Sequence, residues 1–468
     1  MTLALPNDIL LLIGEFVEDR RDRYNLLFVS RQFHELFRRL LYRDASLKSC
    51  AQLRSFLGGL LRRPELARAV RSLDFHEWQS RTTCSSTLFP DTDLTPFTNL
   101  TGGFSHSEEE QERWSQDLSN GVEEAWIALL LPLVGNLRHL QLVYPKNNIY
   151  LDRLVQRAVK GGRPFHTQPA FRMLRHVSLS HLPDDEDSRG SFTPSQVLPF
   201  FQLPSMRTFT ADSVVETAQA EESESETADS ENEPVVGSSS ILEITLRTSS
   251  GSKGMESLVA SCSSLKSFKY QHSDSHLLSE GYRPSSFHRS LDTSKHCLQS
   301  LWLDNGGTHL PFTVAGANQT HDEWFGPLTE YTSLKELRIR LPNLLDIRYQ
   351  LDPSCPLTDI LPPSLEALYV EGCKENSLTM LVGQLKSVLQ KRKTQTQFTS
   401  LKRLDIEGFF HDEEDEEASG YEASDSMSER FIRPRVYEWT EPLREACVDV
   451  GIDLYLRDRD CLETMREC

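Results

Sequence analysis

Apolar residues keep two different rhythms along this chain of 468 residues. From Asn7 to Arg43 they recur every three or four positions. Ile9, Leu12, Ile13, Phe16 and Val17 form one stripe, and Phe33, Leu36, Phe37, Leu40 and Leu41 form another. That is the spacing of amphipathic helices, and it predicts three short ones over about 7 to 18, 22 to 29 and 30 to 43. Pro6 suits a first helical position, Asp8 complements the dipole in the first turn, and Arg38, Arg39 and Arg43 stand toward a helix end, where cations are stabilising. Leu10 and Leu11 widen the first stripe beyond what a three-helix unit buries alone, so part of this surface calls for a partner.

From residue 70 onward the rhythm changes to apolar-x-x-apolar-x-apolar. It recurs as VRSLDF (70 to 75), LRHLQL (137 to 142), LRHVSL (174 to 179), ILEITL (241 to 246), LKSFKY (265 to 270), LQSLWL (298 to 303), LKELRI (334 to 339), LEALYV (365 to 370) and LKRLDI (401 to 406), with a degenerate copy, MRTFTA, at 206 to 211. GIDLYL (451 to 456) offers a final strand. The fourth and sixth positions of each unit fall on one face of a short strand, and the first completes the core at the bend. One unit cannot bury its apolar face alone, so stacked neighbours are required. Intervening segments such as Leu378 to Leu389 have helical spacing, and Trp126 to Val134, interrupted by Pro132 and too short to span a bilayer, reads as a buried repeat helix.

Two family resemblances follow. Leu5-Pro6-Asn7-Asp8-Ile9, Tyr24 to Ser30, Arg31-Gln32-Phe33 and Leu41-Tyr42-Arg43 stand in the order and spacing of an F-box, which covers about a tenth of the chain. The repeats resemble an irregular leucine-rich-repeat solenoid of the kind F-box proteins often carry. Only LEALYVEGC, ending at Cys373, has the Asn or Cys that regular repeats place after the last core leucine. The expected fold is therefore α+β. An F-box spans 3–47, a helical linker 48–69 and an α/β repeat array 70–457, with polar or acidic inserts at 107–117, 216–240 and 411–430. An ordinary mixed domain with Leu-rich strands is the alternative.

The F-box resemblance implies docking on a Skp-family adaptor, and through it on cullin and RING subunits, with Leu5, Pro6, Ile9, Ile13, Leu26 and Val29 at the positions that face the adaptor in the family. It implies a non-catalytic receptor that holds an unknown protein substrate for a Skp/cullin/F-box ubiquitin ligase. The alternatives are an F-box protein in a non-ubiquitin assembly and a repeat scaffold without a ligase role. Alternation in the repeats turns positions three, five and seven to the concave side, among them Trp302, Asp304, Arg338, Arg340, Tyr369, Glu371, Arg403 and Asp405. Their aromatic and arginine composition suits a substrate surface. Alternatively, Trp302 packs under a loop and the charges solvate a face.

Charge changes this picture little. The net charge is −19, but 216 to 233 holds eight acidic residues and no basic one, and 412 to 429 holds nine and none, which leaves the remainder near neutral. These Ser/Glu-rich inserts are expected to be disordered. Within them Ser223, Ser230, Ser419 and Ser426 each have Glu three residues later, a spacing acidophilic kinases accept. No nucleic-acid or membrane partner is expected. Nine scattered cysteines without a Cys-x-x-Cys pair fit free thiols in cytoplasm or nucleus. No catalytic motif, cofactor loop or metal-ligand set stands out. His34-Glu35 is followed by Arg38 where a zinc ligand would be needed, and His272, His276 and His296 read as surface or loop residues.

Overall fold

The computed structural model describes residues 5–17, 19–75, 93–145, 148–167, 169–181, 190–216, 236–273, 282–305, 318, 320–348, 353–408, 410 and 432–458. They fall into two compact units, residues 1–213 with 238–241 and residues 214–237 with 242–468.

Three helices open the first unit: α1 (Asn7–Glu15), α2 (Arg20–Leu26) and α3 (Arg31–Arg43). Their starts are set by caps. Asp19 accepts the Arg21 and Asp22 N–H groups at 2.6 and 3.1 Å, and Ser30 Oγ accepts that of Phe33 at 3.1 Å, satisfying donors that a helix N-terminus leaves orphaned. Leu27, Phe37 and Leu40 make the small core, with Leu10, Leu26, Phe33, Leu36 and Leu41 packed on it. Gly14 lets α1 approach α3, because a Cβ there would lie 2.5 Å from the Phe37 ring and 2.8 Å from Leu40.

Five parallel strands follow: β1 (Asp44–Ser46), β2 (Ser72–Asp74), β3 (His139–Tyr144), β4 (His176–His181) and β5 (Thr208–Asp212). β2 to β5 fall on the repeats read from the sequence; β1 is an addition. Leu73, Leu140, Val177 and Phe209 align across the strands, all buried, and each fully buried side chain of this size is worth roughly 1.5–3 kcal/mol. Between β2 and β3 the described residues form the helices Thr95–Phe104, Glu108–Ser119 and Glu123–Leu130. The polar stretch 107–117, expected as an insert, is thus helical. Ser107 caps it, its acidic first turn suits the helix dipole, and Trp114 and Leu118 are buried beneath it.

In the second unit seven strands run parallel in sequence order: β6 (Glu243–Ser249), β7 (Ser267–His272), β8 (Ser300–Asn305), β9 (Glu336–Arg340), β10 (Ala367–Cys373), β11 (Arg403–Gly408) and β12 (Asp453–Asp458). Ile244, Phe268, Leu301, Leu337, Leu368 and Leu404 share one register and are buried. Short helices return the chain between early strands. The helices Glu375–Gln395 and Pro434–Val450 do so for β10 to β12. The whole is the α+β, leucine-rich-repeat type of architecture expected from the sequence. The acidic segment expected over 216–240 begins later than its first residue. Glu216 is buried and accepts the Lys253 and Met255 N–H groups at 2.8 and 3.2 Å. The remainder of that segment from 217 to 235, the insert 411–430 and Ser223, Ser230, Ser419 and Ser426 lie outside the described residues.

One buried carboxylate ties two helices of the first unit together. Glu124 accepts the backbone N–H groups of Ile149 at 2.7 Å, of Leu151 at 2.8 Å and of Tyr150. These open the helix Tyr150–Lys160, which has no side-chain cap of its own. Burial outweighs these donors and lifts the Glu124 carboxyl above its ordinary value of 4.5. The native state then holds this proton more tightly than the unfolded chain, so the group's contribution to stability falls as pH rises from 4.5 through the folded value. Urea unfolding is expected to show Glu124→Ala destabilised by about 2 kcal/mol, since three donors lose their acceptor. Glu124→Gln should keep most of the stability and lose this pH dependence, so that wild type weakens relative to it as pH rises.

Candidate functional site

Two surfaces carry the side chains singled out in the sequence. The first is the N-terminal helical unit. Ile9, Leu12, Ile13 and Phe16 have helical spacing along and just beyond α1, with Leu5 ahead of them, and all five are exposed, Phe16 by 79%. The sequence stripe is therefore the outer face, while Leu10 and Gly14 meet the core. Beyond α2, Phe28 and Val29 are 70% and 63% exposed, and Tyr24 meets Phe28 edge-on with ring centroids 5.0 Å apart. Of the six positions singled out in the sequence, Leu5, Pro6, Ile9, Ile13 and Val29 are exposed, whereas Leu26 packs partly on the core. Leu12, Phe16, Tyr24 and Phe28 belong to this exposed set as well; for Leu12 and Phe16 the helical stripe was the signal.

The second surface is a row across the strands of the second unit. Register aligns Lys269, Trp302, Arg338, Tyr369, Asp405 and Tyr455. Trp302 is half-buried beneath two cations, with Lys269 Nζ 3.9 Å and Arg338 Cζ 5.5 Å from its ring centroid, and its indole N–H is buried with no acceptor among the described residues. Arg403 lies 5.4 Å from the Tyr369 ring and 4.4 Å from the Tyr455 ring. The strand alternation thus brings Trp302, Arg338, Tyr369 and Arg403 to one face, and Asp304 on β8 is half-buried.

Three of the predicted contact residues are corrected by the structure. Arg340, Glu371 and Asp405 are all buried, 2 to 3% exposed. Ion pairing accounts for two of them: Glu371 accepts from Arg338, and Asp405 sits between Arg403 at 2.5 Å and Arg457 at 2.8 Å. The row therefore neutralises much of its own charge. Arg457 and Tyr455 on the last strand and Lys269 on β7 were not singled out in the sequence, although Lys269 occupies the fifth repeat position.

The isolated histidines and cysteines divide in the same way. His34 is exposed on α3. His272 is not a surface residue: it is fully buried on β7, 2.9 Å from the Tyr270 hydroxyl and stacked on Tyr282. His276 lies outside the described residues. Among the described residues no group of three His, Cys, Asp or Glu side chains is placed to hold a metal ion, and no helix is long and apolar enough to cross a membrane. Cys50, Cys262, Cys297, Cys355, Cys373 and Cys447 are free thiols.

Comparison with known families agrees with this architecture. Residues 55–406 match the leucine-rich repeat domain, and residues 2–81 match the COS11 F-box domain. The chain belongs to the leucine-rich repeat domain family and carries an F-box at its N-terminus. No curated protein matches it in sequence.

The Asp405 cluster has a measurable consequence. Replacing both Arg403 and Arg457 by Gln leaves a buried carboxylate without its countercharges and is expected to cost on the order of 3 kcal/mol in urea unfolding. Adding Asp405→Asn to that variant should recover most of the loss, which a purely steric role of the arginines would not allow.

Proposed function

We propose that this protein is the substrate-recognition subunit of a Skp/cullin/F-box ubiquitin ligase. The observation that carries this reading is the exposed apolar face of α1. Leu5, Ile9, Leu12, Ile13 and Phe16 are left in water by a unit that has its own core. Covering half-exposed side chains of this size gains roughly 1 kcal/mol each, enough together to offset part of the entropy lost on association. F-box domains generally bind Skp-type adaptors, and an F-box joined to leucine-rich repeats is typical of non-catalytic adaptor proteins. Leu5, Pro6, Ile9, Ile13 and Val29 dock the adaptor in this reading, with Leu26 contributing what remains exposed.

The strand row of Trp302, Tyr369, Arg338 and Arg403 holds the protein substrate. Arg340, Glu371 and Asp405 support that row from within, and Asp304 borders it. Ubiquitin transfer is performed by the cullin and RING partners and their conjugating enzyme. The receptor raises the substrate's effective concentration beside them. Cytoplasm or nucleus is the compartment this role requires.

Purification of tagged wild type and an Ile9→Asp, Ile13→Asp variant from the same cells tests the reading. Adaptor and cullin are expected with wild type, and adaptor recovery should fall by about tenfold or more in the variant, since each substitution would bury a charge in the interface. Equal adaptor recovery would refute the docking surface, and adaptor without cullin in wild type would refute the ligase role. A Trp302→Ala, Tyr369→Ala variant should retain adaptor while losing substrate proteins.

A further inference from the structure

An arginine stands immediately before every strand of the first unit. Arg43, Arg71, Arg138, Arg175 and Arg207 precede β1 to β5 in turn. Their backbones are joined rank to rank: Arg71 donates to Arg43 at 2.8 Å, Arg138 to Arg71 at 2.7 Å, Arg175 to Arg138 at 2.9 Å and Arg207 to Arg175 at 2.8 Å. Five ranks at strand spacing make a row about 19 Å long. One residue further on, His139 and His176 stack with ring centroids 4.6 Å apart and planes within 6°.

This row is poorly neutralised. Arg43 meets Glu15 at 3.5 Å, and the nearby Asp44 is taken by Arg23 at 3.0 Å. Arg138, Arg175 and Arg207 make no ion pair among the described residues, and Arg175 and Arg207 are exposed. Carbonyl oxygens occupy only part of the row's donor capacity, Asn136 accepting from Arg71 at 3.2 Å and Ser240 from Arg207 at 2.9 Å. Burial, then the Arg138 and Arg43 charges, hold Arg71 below its usual value, and burial followed by His176 does the same to His139.

The same repeat position in the second unit shows that this is not required by the fold. There the residues before β7 to β11 are Lys266, Gln299, Lys335, Glu366 and Lys402. Glu366 bridges Lys335 at 3.1 Å and Lys402 at 2.7 Å, so that row supplies its own counterion.

We propose that the arginine row of the first unit is a docking surface for an acidic polypeptide segment in extended conformation, presenting carboxylates or phosphates to the guanidinium groups. Planar guanidinium groups suit both anions. An extended chain advances about 3.3 Å per residue, so some six residues with acidic side chains at alternate positions span the row. One observation favours a peptide over nucleic acid: His139 and His176 turn ring faces toward one another, and single-stranded nucleic acids need free aromatic faces for stacking. None of the five arginines belongs to the adaptor-facing set or to the Trp302 row.

Fluorescence anisotropy with labelled peptides on the full-length chain tests the proposal. The probes are a peptide of alternating Glu and Ser about a dozen residues long, and its phosphoserine counterpart. Wild type is expected to bind, more weakly as salt is raised. Arg138→Gln, Arg175→Gln, Arg207→Gln should lose about tenfold or more in affinity. The milder Arg175→Gln, Arg207→Gln variant, altering only exposed side chains, should lose part of it with an unchanged circular dichroism spectrum. A Lys266→Gln, Lys335→Gln, Lys402→Gln control should bind as wild type does. Tighter binding of the phosphoserine peptide would assign the surface to phosphate, and equal binding to carboxylate. No binding at low salt, equal losses in the arginine and lysine variants, or tighter binding of a single-stranded RNA of similar length would overturn the proposal.

Discussion

The alignment of the fourth and sixth repeat positions from strand to strand is the contact on which the rest of the structure depends. Parallel strands buried on one face tolerate no slip by a single residue, because that would turn every core side chain to the other side. Leu301, Leu337, Leu368 and Leu404 in the second unit, and Leu73, Leu140, Val177 and Phe209 in the first, hold that register with essentially no exposure. The helices of varied length between the strands show that spacing along the chain is free so long as register is kept. Starts of successive units from 137 to 401 can therefore lie 24 to 37 residues apart, and those at 70 and 137 are 67 apart, without breaking the array.

Fixing one face by register also fixes the other. Residues between the core positions must align as well, so each unit carries rows of polar side chains whose composition is set independently of the fold. In the second unit such rows neutralise themselves, through Arg338 with Glu371, Asp405 with Arg403 and Arg457, and Glu366 with two lysines. In the first unit the row before the strands is arginine at every rank. The second unit therefore presents a largely compensated face around Trp302, and the first a cationic row in which, among the described residues, Arg43 alone is ion-paired.

Much of this was legible in the sequence, because the hydrophobic period reports the register directly. The strands from β2 to β12 and the three N-terminal helices fall where the apolar spacing places them. β1 was missed: it has three residues, of which only Ala45 is buried, too few for a period to show. The helix at 108–119 was hidden by its polarity, since only Trp114 and Leu118 are buried and its stability comes from caps and from Trp114 donating to Ala125 at 3.1 Å. In the strand row, alternation aligns Trp302 and Tyr369 but could not foresee that Arg340, Glu371 and Asp405 are covered, since the ion pairs of Glu371 and Asp405 join strands distant in sequence and are not periodic. The outward turn of the α1 stripe rests on Gly14, whose missing side chain lets the opposite face of the helix meet Phe37.

The proposed docking uses α1 and leaves the repeat array unchanged. Hydrogen exchange on the whole chain, alone and with purified Skp-type adaptor, tests that most directly. The account predicts slowed exchange confined to residues 5–29, with β8 to β11 exchanging as in the free chain. Adaptor binding that leaves residues 5–29 unprotected, or that protects the strand row instead, would contradict it.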